Sequence, residues 1–334
     1  MVGELVLITG ISGFLGYATL VSALESGYNV RGVVRKQSQV DTIKEILPAQ
    51  FQSQLEFITI PDLTVDGVFD DAFKGVTYVI HVASPQSAPS TNYKEDYFKP
   101  ALSMTKNVFE SAAKFPAIKR LVITSSLSPY IPPAEFATGK LSKEIYRSDD
   151  DTCHYDMDME FAHHLFAYAA SKSMALDYAE NYIKTQNPGY EVVFLMPSFV
   201  FGPNKLARDP ETFNSGSNAL LVNHILGKSK QPLLTISVHI DDVAKIHVDS
   251  LKPSVPAGRY LLDRSGTDWS EAIPVIKKNF PEAVGKVFPE EVTVQTIPIK
   301  LDSTKAEKAF GIEFKSFEEQ VKDTAAYYLS LLPQ

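Results

Sequence analysis

An apolar run near residue 5 leads directly into a glycine-rich turn, and this feature constrains the fold most strongly. Residues 5–9 have the pattern of a buried strand, and a helical pattern of apolar residues follows and stops at Gly27. Glycine allows the backbone to bend tightly and to approach a ligand, while the start of a helix offers unpaired N–H groups to a phosphate. The motif therefore predicts a strand, a turn and a helix that bind the pyrophosphate of a dinucleotide through Gly10, Ser12, Gly13, Phe14, Leu15 and Gly16.

Apolar runs and helical patterns alternate along residues 1–200. Further strands are predicted at residues 28–34, 55–60, 77–83, 120–124 and 192–196. Helices are predicted at residues 40–47, 65–73, 93–114 and 166–185. Helices between strands imply parallel crossovers that cover both faces of the sheet. The predicted fold class is therefore α/β, with a Rossmann-type, doubly wound parallel sheet.

The C-terminal part has a less regular pattern, which predicts a second, smaller unit. Residues 1–200 are expected to form the nucleotide-binding domain, and residues 233–252 to return to it with a strand at 235–240 that could complete the sheet. Residues 201–232 and 253–334 are expected to form a smaller substrate lobe. Because no linker marks a boundary, the lobe is expected to be interleaved with the first domain.

Charge and composition limit which partners the chain can have. The net charge of −8 argues against a general binder of nucleic acids or anionic membranes, because such proteins need a basic face, although local basic clusters remain possible. A single cysteine, Cys153, excludes an internal disulfide bond and fits a reducing compartment. No apolar run reaches the ~18 residues of a membrane span, and the histidines match no zinc-binding spacing. We therefore expect a cytoplasmic protein that binds no metal and has no nucleic-acid or membrane partner.

The end of the second predicted strand indicates which nucleotide would bind. In dinucleotide-binding folds, an acidic residue there accepts the hydroxyls of the adenosine ribose and selects NAD. This chain has no carboxylate between Asn29 and Val40 and instead carries Arg35 and Lys36. A guanidinium can bind a 2′-phosphate through two hydrogen bonds, so these residues favour NADP. Further contacts to the cofactor are expected just past neighbouring strands, at Asp62, Leu63, Ala83 and Ser84.

Two groups of residues could carry out chemistry at the same edge of the sheet. Tyr168 and Lys172 are four residues apart on a predicted helix, which places them on one face, one turn apart. A free tyrosine has a pKa of about 10, and an adjacent ammonium would stabilise the phenolate that proton transfer near neutral pH requires. Ser125 and Ser126 follow the fifth predicted strand, where a hydroxyl can donate to a substrate carbonyl. Each group is common in unrelated proteins, and only the combination with the glycine turn is informative.

Taken together, these motifs resemble the extended branch of the short-chain dehydrogenase/reductase superfamily. The resemblance lies in the sequence TGxxGxxG at residues 9–16, the serine pair, and the tyrosine and lysine of the predicted helix. Within that branch, four further segments resemble NADPH-dependent ketone and aldehyde reductases, near the dihydroflavonol reductases and the yeast methylglyoxal and 3-methylbutanal reductases. They are residues 81–85 (HVASP), 122–126 (VITSS), 197–203 (PSFVFGP) and 240–244 (IDDVA).

The resemblance implies a role for each of these residues. Tyr168 would deliver a proton to the oxygen of a carbonyl substrate, while the nicotinamide of NADP(H) delivers a hydride to its carbon. Lys172 would assist the tyrosine and hold the nicotinamide ribose, Ser126 would orient the carbonyl with Ser125 as the alternative, and Arg35 would bind the 2′-phosphate. The remaining contacts to the cofactor would come from Pro197, Val200 and Ser217. The expected partner is a small carbonyl compound, and the expected assembly is a monomer or a homodimer.

Other interpretations of the same residues remain open. A nucleotide-sugar epimerase or dehydratase would use the tyrosine and lysine with bound NAD, but would need an acidic end to the second strand. A hydroxysteroid or 3-hydroxy acid dehydrogenase would use the same groups oxidatively. A regulatory protein that only senses NADP would keep the glycine turn and typically lose the tyrosine and lysine. The sequence favours an NADPH-dependent carbonyl reductase that converts aldehydes, ketones or diketones to alcohols.

Overall fold

The computed structural model describes residues 3–85, 90–229 and 231–333, which alternate between strands and helices. The strands in these ranges are Leu5–Thr9 (β1), Asn29–Val34 (β2), Leu55–Thr59 (β3), Tyr78–His81 (β4), Arg120–Thr124 (β5), Tyr146–Arg147 (β6), Glu191–Pro197 (β7), Val200–Phe201 (β8), Leu233–Leu234 (β9), Val238–His239 (β10), Gly258–Leu262 (β11), Thr296–Ile297 (β12) and Leu301–Asp302 (β13). The α-helices are Phe14–Glu25 (α1), Gln37–Ile46 (α2), Lys99–Ala113 (α3), Pro133–Thr138 (α4), His164–Gln186 (α5), Pro210–Phe213 (α6), Asn218–Ile225 (α7), Ile240–Asp249 (α8), Ala272–Asn279 (α9), Thr304–Phe310 (α10) and Phe317–Ser330 (α11).

Seven strands within the described ranges form one parallel sheet, in the order β11-β7-β5-β4-β1-β2-β3. The predicted Rossmann-type sheet is confirmed. Its strands are apolar on both faces because helices cover both faces. In β1, Val6 and Ile8 belong to the core on one face of the sheet, and Leu7 belongs to the core on the other. All three are fully buried, and each burial contributes about 1.5–3 kcal/mol to stability.

Two layers of helices cover the sheet. On one face α1 packs against α8, and on the other α3 packs against α5. The start of α1 follows the carboxyl end of β1 through the glycine turn, while α5 crosses the face that carries Ile123 and Leu121 of β5. None of the helices in the described part of the chain is long and apolar enough to cross a membrane.

A third apolar core lies in the C-terminal part of the chain, where the smaller lobe is predicted. There α7, α9 and α11 pack on one another around the fully buried Trp269. The strand Gly258–Leu262, predicted to belong to the lobe, instead pairs with β7 at the edge of the main sheet, and α10 packs on it. The strand predicted at 235–240 does not complete the sheet, because Val238–His239 pairs with Val200–Phe201 in a separate two-stranded sheet. A short apolar run predicts a strand, but it does not indicate which neighbouring strand that strand pairs with.

The helix predicted at residues 65–73 is also wrong. The segment forms successive turns, and Gly67 has a φ of +71°, which lies far from the φ of an α-helix. Phe69 and Phe73 are nevertheless fully buried, and their rings stack with 5.2 Å between centroids. The helix-like spacing of these apolar residues therefore reflects burial under a chain of turns.

A buried arginine joins the first residue of β5 to the end of α8. The side chain of Arg120 is only 3% exposed. Its Nη1 atom lies within 2.6–2.9 Å of three carbonyl oxygens, those of Ser250, Lys252 and Val255. Ser250 is the C-cap residue of α8, and Lys252 and Val255 lie in the segment that follows, so the guanidinium donates to backbone carbonyl groups at and just past the end of the helix. Its other nitrogens pair with Glu191 of β7, so one side chain ties the sheet to the layer that covers it.

We expect Arg120→Met to lower the free energy of unfolding by about 3 kcal/mol, because the carbonyl groups at and just past the end of α8 lose their donor. The matched control is Lys119→Met. Lys119 is exposed, and its ion pair with Glu4 at 2.8 Å lies at the surface, where such a pair contributes at most about 1 kcal/mol. Urea unfolding measures both changes, and equal shifts of the two midpoints would contradict the role given to Arg120.

Candidate active site

The glycine turn brings the start of α1 against the ends of β1 and β4. Gly10 has a φ of +76°, which favours glycine, and a Cβ there would lie 2.8 Å from the backbone nitrogen of Ala83. A Cβ on Gly16 would overlap the carbonyl oxygen of Gly10. Gly13 differs, since a Cβ there would make only an ordinary contact of 3.4 Å and the residue is exposed. Packing therefore requires the first and third glycines, whereas the second leaves space on the solvent side.

A threonine and a histidine hold the ends of β1 and β4 together. The Oγ1 atom of Thr9 accepts hydrogen bonds from the backbone N–H groups of Val82 and Ala83, both at 3.1 Å. The hydroxyl proton of Thr9 can then be donated to Nδ1 of His81, which lies 2.9 Å from the Thr9 Oγ1 atom. Burial, aided by the charge of Lys172, lowers the pKa of His81 to about 3, so the ring is neutral and can accept that proton. These bonds fix the backbone just past β4.

The start of α1 has the properties of a phosphate site. Gly13 is the N-cap residue and provides no side-chain cap, and the first turn of the helix contains no acidic residue. The first N–H groups of the helix are therefore left for an external acceptor, and the positive end of the helix dipole favours an anion. Ser12, Phe14 and Leu15 are partly exposed at the same turn. This arrangement fits the pyrophosphate of a dinucleotide.

The end of β2, which neighbours β1 in the sheet, presents two cations. Arg35 and Lys36 are both exposed. The side-chain oxygen Oε1 of Gln39 accepts from their backbone N–H groups, at 2.8 Å and 3.3 Å, which fixes the backbone and leaves both side chains in solvent. The next carboxylate along the chain, Asp41, lies on α2 and accepts a hydrogen bond from Gln37. The end of the strand is therefore basic, as the 2′-phosphate of NADP requires.

A cleft opens at the carboxyl ends of β4 and β5, between the sheet and the helices α3 and α5. Predicted site residues and apolar side chains line it together, namely Ala83, Ser84, Ser125, Lys172, Met104 and Leu176. The Nζ atom of Lys172 lies 5.7 Å from the ring centre of Tyr168, one turn away on α5. Tyr168 is partly exposed and packs beside the buried Ala167 and Met174. The fold thus brings the loop after β4, one serine of the pair and the lysine together, with the tyrosine next to the lysine.

The two serines after β5 have different partners. The backbone N–H of Ser125 donates to the carbonyl of Leu195 at 2.8 Å, which extends the pairing of β5 with β7, and Ser125 lines the cleft. The Oγ atom of Ser126 instead lies 2.9 Å from the Oγ atom of Ser128 and accepts from the Ser128 backbone N–H at 3.1 Å. Ser126 is therefore held within its own turn, while Ser125 shares the cleft with Lys172.

Two predicted cofactor contacts, Pro197 and Val200, lie at or just past the end of β7, and a third, Ser217, is the N-cap residue of α7. Pro197 is the last residue of β7 and is buried, and its carbonyl accepts from the N–H of Leu127 at 3.3 Å. The hydroxyl of Ser217 donates to the carbonyl of Val200 at 2.6 Å. Ser217 therefore supports the backbone beyond β7, and Val200 is itself buried.

Asp62 and Leu63 follow β3, and each makes contacts within the protein. The Oδ1 atom of Asp62 accepts from the N–H and the hydroxyl of Thr64, at 2.8 Å and 2.7 Å. The side chain of Leu63 is buried in the core, and its carbonyl accepts from Nδ2 of Asn107 at 2.9 Å. Both residues thus shape the end of β3, and the exposed carboxylate of Asp62 remains on the surface.

Several polar residues of this region were missed as site residues by the sequence analysis. They are the buried pair Thr9 and His81, the pair Thr124 and His247 with 2.7 Å between Oγ1 and Nε2, and Ser128. The sequence does contain a signal for the first two pairs. Each includes a polar residue in or at the end of an apolar strand, and a buried polar side chain needs a hydrogen-bond partner. The partner itself could not be named from the sequence, because His247 is far along the chain from β5.

Comparison with known proteins identifies the family. A model of the NAD dependent epimerase/dehydratase family matches residues 6–255. The chain belongs to this family. Among relatives of this epimerase/dehydratase-family protein, the ketoreductase sphI of Aspergillus fumigatus is 36% identical, and the match covers 97% of each chain. The ketoreductase CTB6 of Cercospora beticola is 32% identical, with 99% of this chain and 96% of the relative covered.

The fold of this epimerase/dehydratase-family protein is shared with solved structures. The yeast methylglyoxal/isovaleraldehyde reductase Gre2, complexed with NADPH, has a TM-score of 0.82 over 98% of both chains, at 21% identity. The predicted resemblance to the extended short-chain dehydrogenase/reductases is therefore confirmed, as is the Rossmann-like fold. The roles of the individual residues stay predictions.

The two glycines at the start of α1 provide a test of the nucleotide site. We expect Gly13→Ala to keep the melting temperature of the wild type but to weaken NADPH binding by about tenfold or more, because the added methyl group occupies the solvent side of the turn. Gly16→Ala should instead lower the melting temperature, because its Cβ overlaps the Gly10 carbonyl. Calorimetry and a fluorescence titration with NADPH measure the two effects. Unchanged NADPH affinity in a folded Gly13→Ala protein would contradict the site.

Proposed function

We propose that this chain uses NADPH to reduce an aldehyde, ketone or diketone to an alcohol. One observation carries the proposal: Lys172 lines the cleft and also lies 5.7 Å from the ring centre of Tyr168. An ammonium thus stands beside a phenol at the carboxyl edge of the sheet, where ligands of open α/β sheets bind. The names of the relatives sphI and CTB6, both ketoreductases, support a reaction of this class.

The proposed reaction divides the work between the cofactor and the side chains. NADPH, when bound, supplies the hydride that reduces the carbonyl carbon. Tyr168 donates its hydroxyl proton to the carbonyl oxygen as negative charge develops there, and Lys172 stabilises the phenolate that remains. Ser126 donates a hydrogen bond to the same oxygen and so favours the polarised carbonyl.

The proposed cofactor contacts follow from the positions of the same residues. The glycine turn with Ser12, Phe14 and Leu15 holds the pyrophosphate, because the uncapped start of α1 faces outward there. Arg35, assisted by Lys36, binds the 2′-phosphate. The rest of the cofactor would be held by residues at or just past the ends of β3, β4, β5 and β7 and by Ser217 at the start of α7, namely Asp62, Leu63, Ala83, Ser84, Ser125, Pro197, Val200 and Ser217.

The basic end of β2 favours this reaction over the epimerase or dehydratase reaction that the family description also names. Those reactions would use NAD, which an acidic residue at the end of β2 selects. Arg35 and Lys36 stand there instead, and both are exposed to solvent. The preference for NADPH over NADH is therefore the property that separates the two candidates.

Replacing the proposed proton donor should abolish the reaction and leave the cofactor site intact. In Tyr168→Phe we expect kcat to fall by about 10²–10⁴-fold, because the ring stays and only the hydroxyl group that donates the proton is lost, while the Kd for NADPH changes less than about threefold. The assay follows NADPH consumption with methylglyoxal and a panel of aryl ketones.

Tyr178→Phe is the matched control for that substitution. Tyr178 lies on the same helix, and its hydroxyl donates to Glu110 at 3.4 Å. We expect its kcat to equal that of the wild type. Full activity of Tyr168→Phe, or an equal loss in both variants, would contradict the proposed donor.

Reversing the charge at the end of β2 should change the preference for the cofactor. In Arg35→Asp we expect KM for NADPH to rise by about tenfold or more, since a carboxylate repels the 2′-phosphate, while KM for NADH changes less than about threefold. Lys74→Asp makes the same change in net charge at the surface, in the loop that leads into β4. It should leave both constants unchanged, and an equal effect of Arg35→Asp on the two cofactors would contradict the 2′-phosphate site.

A further inference from the structure

The Oγ atom of Ser126 has two hydrogen-bond contacts within the described residues, and both involve Ser128. The backbone N–H of Ser128 donates to the Oγ atom of Ser126 at 3.1 Å. The two hydroxyl oxygens lie 2.9 Å apart, within hydrogen-bond distance. Both residues are half-buried at the end of the loop that follows β5.

The number of protons and lone pairs decides what Ser126 can do. A serine hydroxyl has one proton to donate and two lone pairs that can accept. The N–H of Ser128 fills one lone pair of Ser126. If the Ser128 hydroxyl fills the second, only the Ser126 proton remains, and Ser126 can only donate. A carbonyl oxygen can only accept, so such a serine is complementary to it.

We propose that Ser128 is a positioning residue that donates its hydroxyl proton to Ser126 and so directs the Ser126 proton to the substrate carbonyl. This inference rests on the proposed function, because it assigns a role to the partner of a proposed catalytic serine. Ser128 itself does not touch the substrate in this scheme. Its effect on the reaction therefore passes entirely through Ser126.

The surrounding backbone keeps the two serines in this relation. On one side of Ser126, the N–H of Ser125 donates to Leu195, and on the other the N–H of Leu127 donates to Pro197. Leu127 is buried, and Ser128 begins a short 3₁₀ turn whose Tyr130 is buried as well. The loop is thus anchored to β7 and to the core, so a change of the Ser128 hydroxyl need not move the backbone.

The test is a double-mutant cycle of the full-length protein, with methylglyoxal and the aryl ketone panel as probes. We expect Ser126→Ala to lower kcat/KM by about 10²-fold or more, in the range found for loss of one donor to a reacting oxygen. Ser128→Ala should lower kcat by about tenfold, because the Ser126 proton is no longer directed to the carbonyl. Ser128→Thr, which keeps a hydroxyl, should restore activity to within about threefold of the wild type.

The decisive comparison is between Ser126→Ala and the double variant. If Ser128 acts only through Ser126, adding Ser128→Ala to Ser126→Ala causes no further loss. Melting temperature and NADPH affinity should match the wild type in all variants, which separates positioning from a loss of structure. Independent, additive losses, or full activity of Ser128→Ala, would overturn the proposal. Full activity of Ser126→Ala would instead refute the role given to Ser126 in the proposed function.

Discussion

The close approach of the glycine turn to the end of β4 is the constraint on which the rest of the site depends. Gly16 meets the Gly10 carbonyl, and Gly10 meets the backbone of Ala83, with no room for a Cβ at either glycine. The Oγ1 atom of Thr9 strengthens this contact, because it accepts hydrogen bonds from two backbone N–H groups of the segment just past β4. The start of α1 and the loop after β4 therefore have fixed positions relative to each other, so a ligand held by one is presented to the other.

The catalytic candidates reach the same edge through the neighbouring strands. β5 pairs with β4, and Ser125 and Ser126 follow the last residue of β5. The helix α5, which carries Tyr168 and Lys172, lies across the face of the sheet that α3 also covers. Buried contacts orient these elements: Arg120 joins β5 to α8, and Thr124 at the end of β5 bonds to His247 of α8. Tyr168 and Lys172 thus lie on a helix that packs against the sheet, while Ser125 and Ser126 lie in a loop that is bonded to β7 through the N–H groups of Ser125 and Leu127.

Much of the fold could be predicted because local sequence patterns specify most of its strands and helices. The apolar runs of the first five strands of the main sheet and the glycine spacing each specify an element without knowledge of its neighbours. The position of Gly258–Leu262 could not be predicted, because pairing with β7 depends on which edge of the sheet is free. The segment around Phe69 and Phe73 showed helical spacing, but Gly67 at positive φ directs it into turns.

For the site, too, contacts within one element could be predicted from the sequence, whereas contacts between elements could not. Tyr168 and Lys172 share a helix, so their spacing alone indicates that they lie close together, and the structure has them one turn apart. The Ser126 and Ser128 contact depends on a turn whose conformation is set by Leu127 and Tyr130 in the core, which no spacing rule describes. The partner of Thr9, His81, lies on a different strand, and its burial appears only once the sheet is assembled.

In the proposed reaction, this edge of the sheet supports the transfer of a hydride and a proton to a carbonyl. The most direct test uses NADPH that carries deuterium at both positions of nicotinamide C4, with methylglyoxal and the aryl ketones as acceptors. Mass spectrometry of the alcohol should find one deuterium on the carbon that was the carbonyl carbon. An alcohol without deuterium, or no NADPH-dependent alcohol from any of these acceptors, would contradict the account.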